Sequence, residues 1–141
     1  MISIQEQNLR LQYFNKMLKK NDLRITPQKN KIFEEVSFTD LHPDAQDIFE
    51  KVQKKFPTIS FSTVYKNLKT FVKIGVVTEL DLGEGRSRFD ANMTHHQHII
   101  YENGKIDDII LQASDIPNLP KQFSNLDLSR VDIHFFVKDK K

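Results

Sequence analysis

The sequence contains no cysteine. That excludes disulfides, thiol catalysis and any structural zinc held by thiolates, so metal chemistry here must be built from His, Asp and Glu. It also lacks any apolar run approaching the ~20 residues that span a bilayer, and its first residues lack the basic-then-apolar layout of a secretory leader. No membrane partner is expected, and the expected location is cytoplasmic. There is no internal repeat and no low-complexity tract. What is present is 141 residues, 38% hydrophobic and 28% charged, the balance of a soluble globular protein. Such a length fits one ordinary domain or two small ones, whose thin cores would gain from a bound metal or a second subunit.

The formal net charge of +2 conceals an asymmetry. Through Arg88 there are 15 Lys/Arg against 11 Asp/Glu, a net of +4; from Phe89 onward there are 6 against 8, a net of −2. A basic first part and an acidic, His-bearing second part point to polyanion binding in one and cation binding in the other.

Apolar spacing predicts a helix from Gln5 to about Asn21, with Asp22 a break. A second helix is capped by Thr26 with Pro27 in its first turn, and buries Ile32, Phe33 and Val36. A third is expected to start with Pro43 at its first position and His42 near the cap, running to about Lys55. In the fourth, Ser60 or Ser62 caps a run in which Val64, Leu68, Phe71 and Val72 recur at helical spacing. Lys66, Lys69 and Lys73 step along another side of it, and Gly75 ends it. Val76 to Leu80 and Arg86 to Phe89 read as two strands joined by a glycine-containing loop.

Short helices, the last with a basic side, followed by a two-stranded wing make a winged helix-turn-helix pattern, in which one helix enters the major groove of duplex DNA and flanking elements grip phosphate. Residues 89–94 read as a hinge. Beyond it, His96 to Tyr101 and Lys105 to Ile110 form a hairpin, with Asn103-Gly104 as a type I′ turn. Ser114 to Asn125, with Pro117 and Pro120, has room for a short helix, and Ser129 to Val137 alternates as a further strand. The fold expected is α+β: an N-terminal winged helix-turn-helix over 1–88 and a small α/β domain over 95–141.

The stretch His95-His96-Gln97-His98 lies between Asp90 and the pair Asp107-Asp108. On an extended strand His96 and His98 point the same way. Neutral imidazoles with hard carboxylate oxygens suit Fe(II), Mn(II) or Zn(II). His95 is a candidate for a second site, and His134, in a strand interior, reads as structural.

Several short motifs then occur in a specific order. Leu23-Arg24-Ile25-Thr26-Pro27-Gln28, His42-Pro43-Asp44-Ala45-Gln46-Asp47-Ile48, Ser62-Thr63-Val64-Tyr65-Lys66-Asn67-Leu68, Ser87-Arg88-Phe89-Asp90 and His96-Gln97-His98-Ile99-Ile100 with Glu102-Asn103-Gly104-Lys105-Ile106 together resemble the ferric uptake regulator superfamily, and within it the peroxide-stress repressors. The resemblance covers about Leu9 to Asp108 clearly and the remainder loosely.

That resemblance implies a homodimeric, metal-dependent repressor of operator DNA rather than an enzyme, with 95–141 as its dimerisation and metal-sensing domain. It carries the regulatory ligands onto His42, Asp90, His96, His98 and Asp108, with Asp107 an adjacent competitor for the last role. It implies Fe(II) or Mn(II) at that site, with Zn(II) able to bind in vitro. It further implies peroxide sensing through oxidation of a histidine ligand, chiefly His42 or His96. The residues expected to meet DNA are Arg24, Thr63, Tyr65, Lys66, Lys69, Lys73 and Arg86. One departure is plain: Tyr101 stands where the family's first zinc-binding cysteine falls, and the other cysteines are missing too, so the dimer must rely on packing around Val131 to Val137. The alternatives are a family member that responds to metal level and ignores peroxide, or, in a different class, a small non-haem iron enzyme using two histidines and a carboxylate.

Overall fold

The computed structural model describes residues 2–83, 85–94 and 96–140. The chain divides into two compact units, Met1–Met93 and Thr94–Lys141.

The first unit holds four helices, α1 (Ile4–Lys20), α2 (Pro27–Ser37), α3 (Ala45–Lys55) and α4 (Phe61–Lys73), and an antiparallel pair, β1 (Thr78–Asp81) and β2 (Ser87–Asp90). Side-chain oxygens of Ser3, Thr26, Asp44 and Ser60 cap the four helix starts, each accepting from a backbone N–H three residues on. Helix α1 ends in a Schellman turn, Leu23 N–H donating to the Leu18 carbonyl, with Asp22 in the left-handed region at φ 57°. Helix α4 ends the same way, Val76 N–H donating to the Phe71 carbonyl and Gly75 taking φ 84°.

Helix α3 starts later than the sequence pattern predicts. Asp44, not His42, is the cap, and it forms a reciprocal capping box with Asp47. Pro43 is not in the helix because its carbonyl accepts from Phe89 N–H, which ties the segment before α3 to β2.

The core of this unit is a set of three phenylalanines from three helices. Phe14 and Phe33 stack with centroids 4.1 Å apart, and Phe71 meets Phe14 edge-on at 4.9 Å. Each buried ring contributes roughly 1.5–3 kcal/mol through area removed from water. Leu18, Ile32, Val36, Ile48, Val52, Val64 and Leu68 are buried with them and fix α4 against α2 and α3.

The second unit is a three-stranded sheet of order β4-β3-β5, made of β3 (Gln97–Tyr101), β4 (Ile106–Ile109) and β5 (His134–Val137). Strand β4 is antiparallel and β5 parallel to β3. The β3–β4 turn is not type I′. Gly104 has φ 87° but Asn103 does not have positive φ, and Gly104 N–H donates to the Tyr101 carbonyl before Tyr101 N–H pairs with Lys105. That is a three-residue loop closed by a left-handed glycine, with the Asn103 side chain occupied by Lys105 N–H. Two single 3-10 turns, Ala113–Asp115 and Lys121–Phe123, lie in the long excursion from β4 to β5. Strand β5 is shorter than the alternation implies, beginning only at His134.

Among the described residues no helix is long and apolar enough to cross a membrane.

Candidate metal centre and nucleic-acid face

Two of the nominated ligands belong to the first unit. His42 is buried, and its Nε2 lies 3.5 Å from Oδ2 of Asp90 at the end of β2. The segment carrying His42 is held to β2 at successive points: Arg88 Nε donates to the His42 carbonyl, and Phe89 N–H donates to the Pro43 carbonyl. Asp90 also accepts from Asn92 N–H through Oδ1, which orients its carboxylate. The two donors are therefore set by a short backbone ribbon.

The other three belong to the second unit. His96 and His98 are two residues apart on or beside β3, so their side chains project to one face. Their Nε2 atoms face each other at 3.1 Å. Asp108 sits directly across from His98 in the ladder, and its Oδ1 lies 3.4 Å from His98 Nε2 and 3.8 Å from His96 Nε2. His96 Nδ1 lies 2.6 Å from the Thr94 carbonyl; a carbonyl only accepts, so Nδ1 carries the proton and Nε2 of the neutral ring keeps a lone pair. Donor separations of this size fit a six-coordinate ion: bonds of ~2.1 Å place adjacent ligand atoms about 3 Å apart. The donor set is nitrogen and oxygen without sulfur, suited to Fe(II), Mn(II) or Zn(II).

Asp107 alternates to the opposite face of β4. Its Oδ2 accepts from the Tyr101 hydroxyl at 2.9 Å and lies 3.4 Å from Lys105 Nζ. His134 is exposed at the start of β5, with its ring 5.2 Å from that of His98. Partial burial holds its pKa below the ordinary histidine value, with the neighbouring His98 adding to the effect. The second-site candidate His95 lies outside the described residues.

Most of the residues nominated for DNA lie on or beside α4. Lys66, Lys69, Lys73 and Arg24 are exposed, as is Tyr65, whose ring stacks on Phe61 at 6.1 Å. Thr63 is half-buried at the helix start, its Oγ1 2.9 Å from Ser60 Oγ. Two of the nominated cations are engaged by carboxylates. Lys69 Nζ lies 2.8 Å from Oε1 and 2.7 Å from Oε2 of Glu79, and Arg86 Nη1 lies 3.0 Å from Asp44 Oδ2. Glu79 leaves no local pattern because its partner Lys69 lies ten residues away on another element; Asp44 and Arg88 stand inside the motifs, but the contacts they make with Arg86 and with the His42 carbonyl join distant positions and are not legible there.

The comparisons with known proteins agree with this architecture. A sequence model of the Ferric uptake regulator family matches residues 20–135. The peroxide-responsive repressor PerR of Staphylococcus epidermidis (strain ATCC 12228 / FDA PCI 1200) is 38% identical over 128 residues, spanning 88% of this chain and 85% of that protein. Among solved structures, the ferric uptake regulator of Helicobacter pylori superposes with a TM-score of 0.71 at 22% identity, covering 95% of this chain and 91% of that one. PerR from Streptococcus pyogenes gives 0.56 at 26% identity, covering 90% and 88%. With the family's sequence model spanning most of its length and a relative above one-third identity over most of both chains, this chain belongs to the ferric uptake regulator family.

Proposed function

We propose that the chain is a metal-dependent transcriptional repressor that senses hydrogen peroxide and acts in the cytoplasm as a homodimer on double-stranded operator DNA. The observation carrying this reading is the His96–His98–Asp108 cluster, three N/O donors within 3.1–3.8 Å of one another, in a chain whose curated relatives are named peroxide-responsive repressors.

His42 and Asp90 offer two donors, too few for a firm divalent site. The His96 cluster offers three, leaving coordination positions open. We assign all five to one regulatory cation, as the family resemblance implies. One cation held by both groups biases the arrangement of two DNA-reading heads, whose recognition helices reach successive major grooves only near ~34 Å apart. By linkage, DNA then tightens metal binding in return.

Fe(II), when bound, supplies the electrons that reduce peroxide; Mn(II) is a poor donor for that reaction. Without cysteine, the chain has no thiol to take the oxidation, and the family resemblance implies that a histidine ligand takes it. An added oxygen on His42 or His96 removes an imidazole donor and weakens the site. The surrounding residues serve to orient the donors: Thr94 fixes the His96 tautomer, and Arg88 fixes the backbone of His42.

The test starts from duplexes selected out of a random library by the Mn(II)-loaded protein. Their binding is then measured with Mn(II) and with Fe(II), each with and without stoichiometric peroxide, followed by mass analysis of peptides containing His42 and His96. The expected result is release only in the Fe(II)-plus-peroxide arm, with one added oxygen on one of those peptides. Retention of DNA in that arm would remove peroxide sensing and leave a repressor that reads metal level alone. Metal-independent binding would overturn the regulatory site itself.

A further inference from the structure

Glu79 is an anomaly on the face nominated for DNA. It lies on β1, half-buried, and both of its carboxylate oxygens reach Lys69 Nζ on α4, at 2.8 and 2.7 Å. The same ammonium lies 5.4 Å from the centroid of the Tyr65 ring. Tyr65 stacks on Phe61, which meets Phe49 edge-on at 5.7 Å. Lys69 is thus the link in a chain running from a carboxylate to an aromatic stack. Its pKa is raised above the ordinary lysine value, first by the hydrogen bond to Glu79. Among the described residues, Lys66 and Lys73 on the same helix have no carboxylate within 4.0 Å.

A lysine contributes to DNA affinity mainly by displacing condensed counterions from a phosphate, about 0.9 in the slope of log K against log salt for each phosphate neutralised. A lysine already neutralised by a two-oxygen carboxylate has little of this to give. To reach phosphate it must break two charge-assisted hydrogen bonds and leave a carboxylate facing a polyanion. The cost falls on every DNA sequence alike. The aromatic contact, by contrast, is kept in the free protein.

We propose that Glu79 is a selectivity and positioning residue of the DNA-reading face: it withholds Lys69 from phosphate and uses that cation to hold the Tyr65 ring in place. The assignment rests on the reading of α4 as the recognition helix. Glu79 lowers binding to arbitrary duplex while fixing the aromatic side chain best placed to meet a base or sugar. Discrimination rises at the expense of raw affinity.

The experiment is a salt titration of binding to a mixed-sequence duplex in the presence of Mn(II), using the full chain and four variants. Lys66→Ala and Lys73→Ala are each expected to make the slope shallower by about 0.9, and Lys69→Ala to leave it unchanged. Glu79→Gln is expected to steepen it by about 0.9, and the double variant Glu79→Gln, Lys69→Ala to return it to the wild-type value. On a duplex selected from a random library, Glu79→Gln should lose discrimination over mixed sequence by roughly tenfold, the typical weight of one contact. A purely structural role would not produce the slope pattern or its reversal in the double variant. A shallower slope in Lys69→Ala, or an unmoved slope in Glu79→Gln, overturns the proposal. If Glu79→Gln fails to fold, Lys69→Ala alone decides. If Lys66→Ala and Lys73→Ala also leave the slope unmoved, the reading of α4 as the DNA face fails, and the proposal with it.

Discussion

Asp108 Oδ1 lies 3.4 Å from His98 Nε2, across one rung of the β3–β4 ladder. Its neighbour Asp107 projects from the opposite face and takes the Tyr101 hydroxyl. The period of two along a strand therefore separates two adjacent aspartates into different tasks. Asp108→Asn is expected to lower Mn(II) affinity by more than the 10–100-fold typical of losing a residue that merely orients a ligand. Asp107→Asn should leave it within a factor of about three, since no imidazole contact is lost. Metal titration by calorimetry distinguishes the two; equal losses in both variants would refute the assignment.

Asp107→Asn should change a different observable. The Tyr101 pKa is raised, first by the hydrogen bond its hydroxyl donates to Asp107. A raised phenol pKa means the folded state favours the neutral form. Its contribution to stability is present below the unfolded phenol pKa, about 10, and is lost as pH rises through the folded value. In Asp107→Asn the tyrosinate absorbance of Tyr101 should appear at lower pH than in the wild type, and the alkaline limb of stability should become shallower. A tyrosinate titration unmoved by the variant would count against this pairing.

Phe71→Ala removes the ring that α4 contributes to the aromatic core, where Phe71 meets Phe14 at 4.9 Å and Phe33 at 6.4 Å. The expected cost is about 3–5 kcal/mol by urea unfolding, from lost burial plus the cavity left behind. Against a total of roughly 5–15 kcal/mol for a domain, this leaves α4 marginally held. A loss below about 1 kcal/mol would mean that the site collapses without penalty.

The helical unit was legible in the sequence because its signals are local. Thr26-Pro27 and Ser60 mark helix starts, and Gly75 marks an end, each by a hydrogen bond closed within a few residues. The start of α3 is not local in this sense: Pro43 matches a first-turn proline, yet its carbonyl is taken by Phe89, a partner 46 positions away. The β3–β4 turn departs from type I′ because Asn-Gly permits two loops, and the Asn103 side chain bonding to Lys105 N–H favours the longer one. The alternation of His96 and His98 was readable, whereas the direction of Asp108 required the register of β4. The Glu79–Lys69 and Asp44–Arg86 pairs join separate elements, so neither leaves a periodic trace.

Asp44 has two tasks that one substitution can separate. Oδ1 accepts from Asp47 N–H as the cap of α3, and Oδ2 lies 3.0 Å from Arg86 Nη1. Asp44→Asn retains a competent cap, whereas Asp44→Ala is expected to cost about 1 kcal/mol in urea unfolding. Both variants remove the charge facing Arg86, so both should steepen the salt dependence of binding to mixed-sequence duplex, by up to about 0.9 in slope. Stability that differs while the salt slope is shared would identify the two roles; a slope unchanged in both would show that Arg86 does not reach phosphate.

The outer edge of β5 needs a cover. Among the described residues the strand pairs with β3 on one side only, and Phe135 and Phe136 are 43% and 64% exposed. An unpaired edge with exposed aromatics promotes uncontrolled association unless something covers it. In a chain without cysteine, thiolate-bound zinc cannot stiffen that region. In the proposed homodimer a second copy of the same chain would cover such an edge symmetrically, each burying the other's rings. Phe136→Asp is therefore expected to shift sedimentation from dimer to monomer at micromolar concentration. DNA affinity should fall with it, because two linked reading heads gain from effective concentration what separate heads lose. The variant should bind DNA with about half the wild-type salt slope, as one head makes half the phosphate contacts. A dimer that survives the substitution with its slope intact would place the subunit contact elsewhere on the chain.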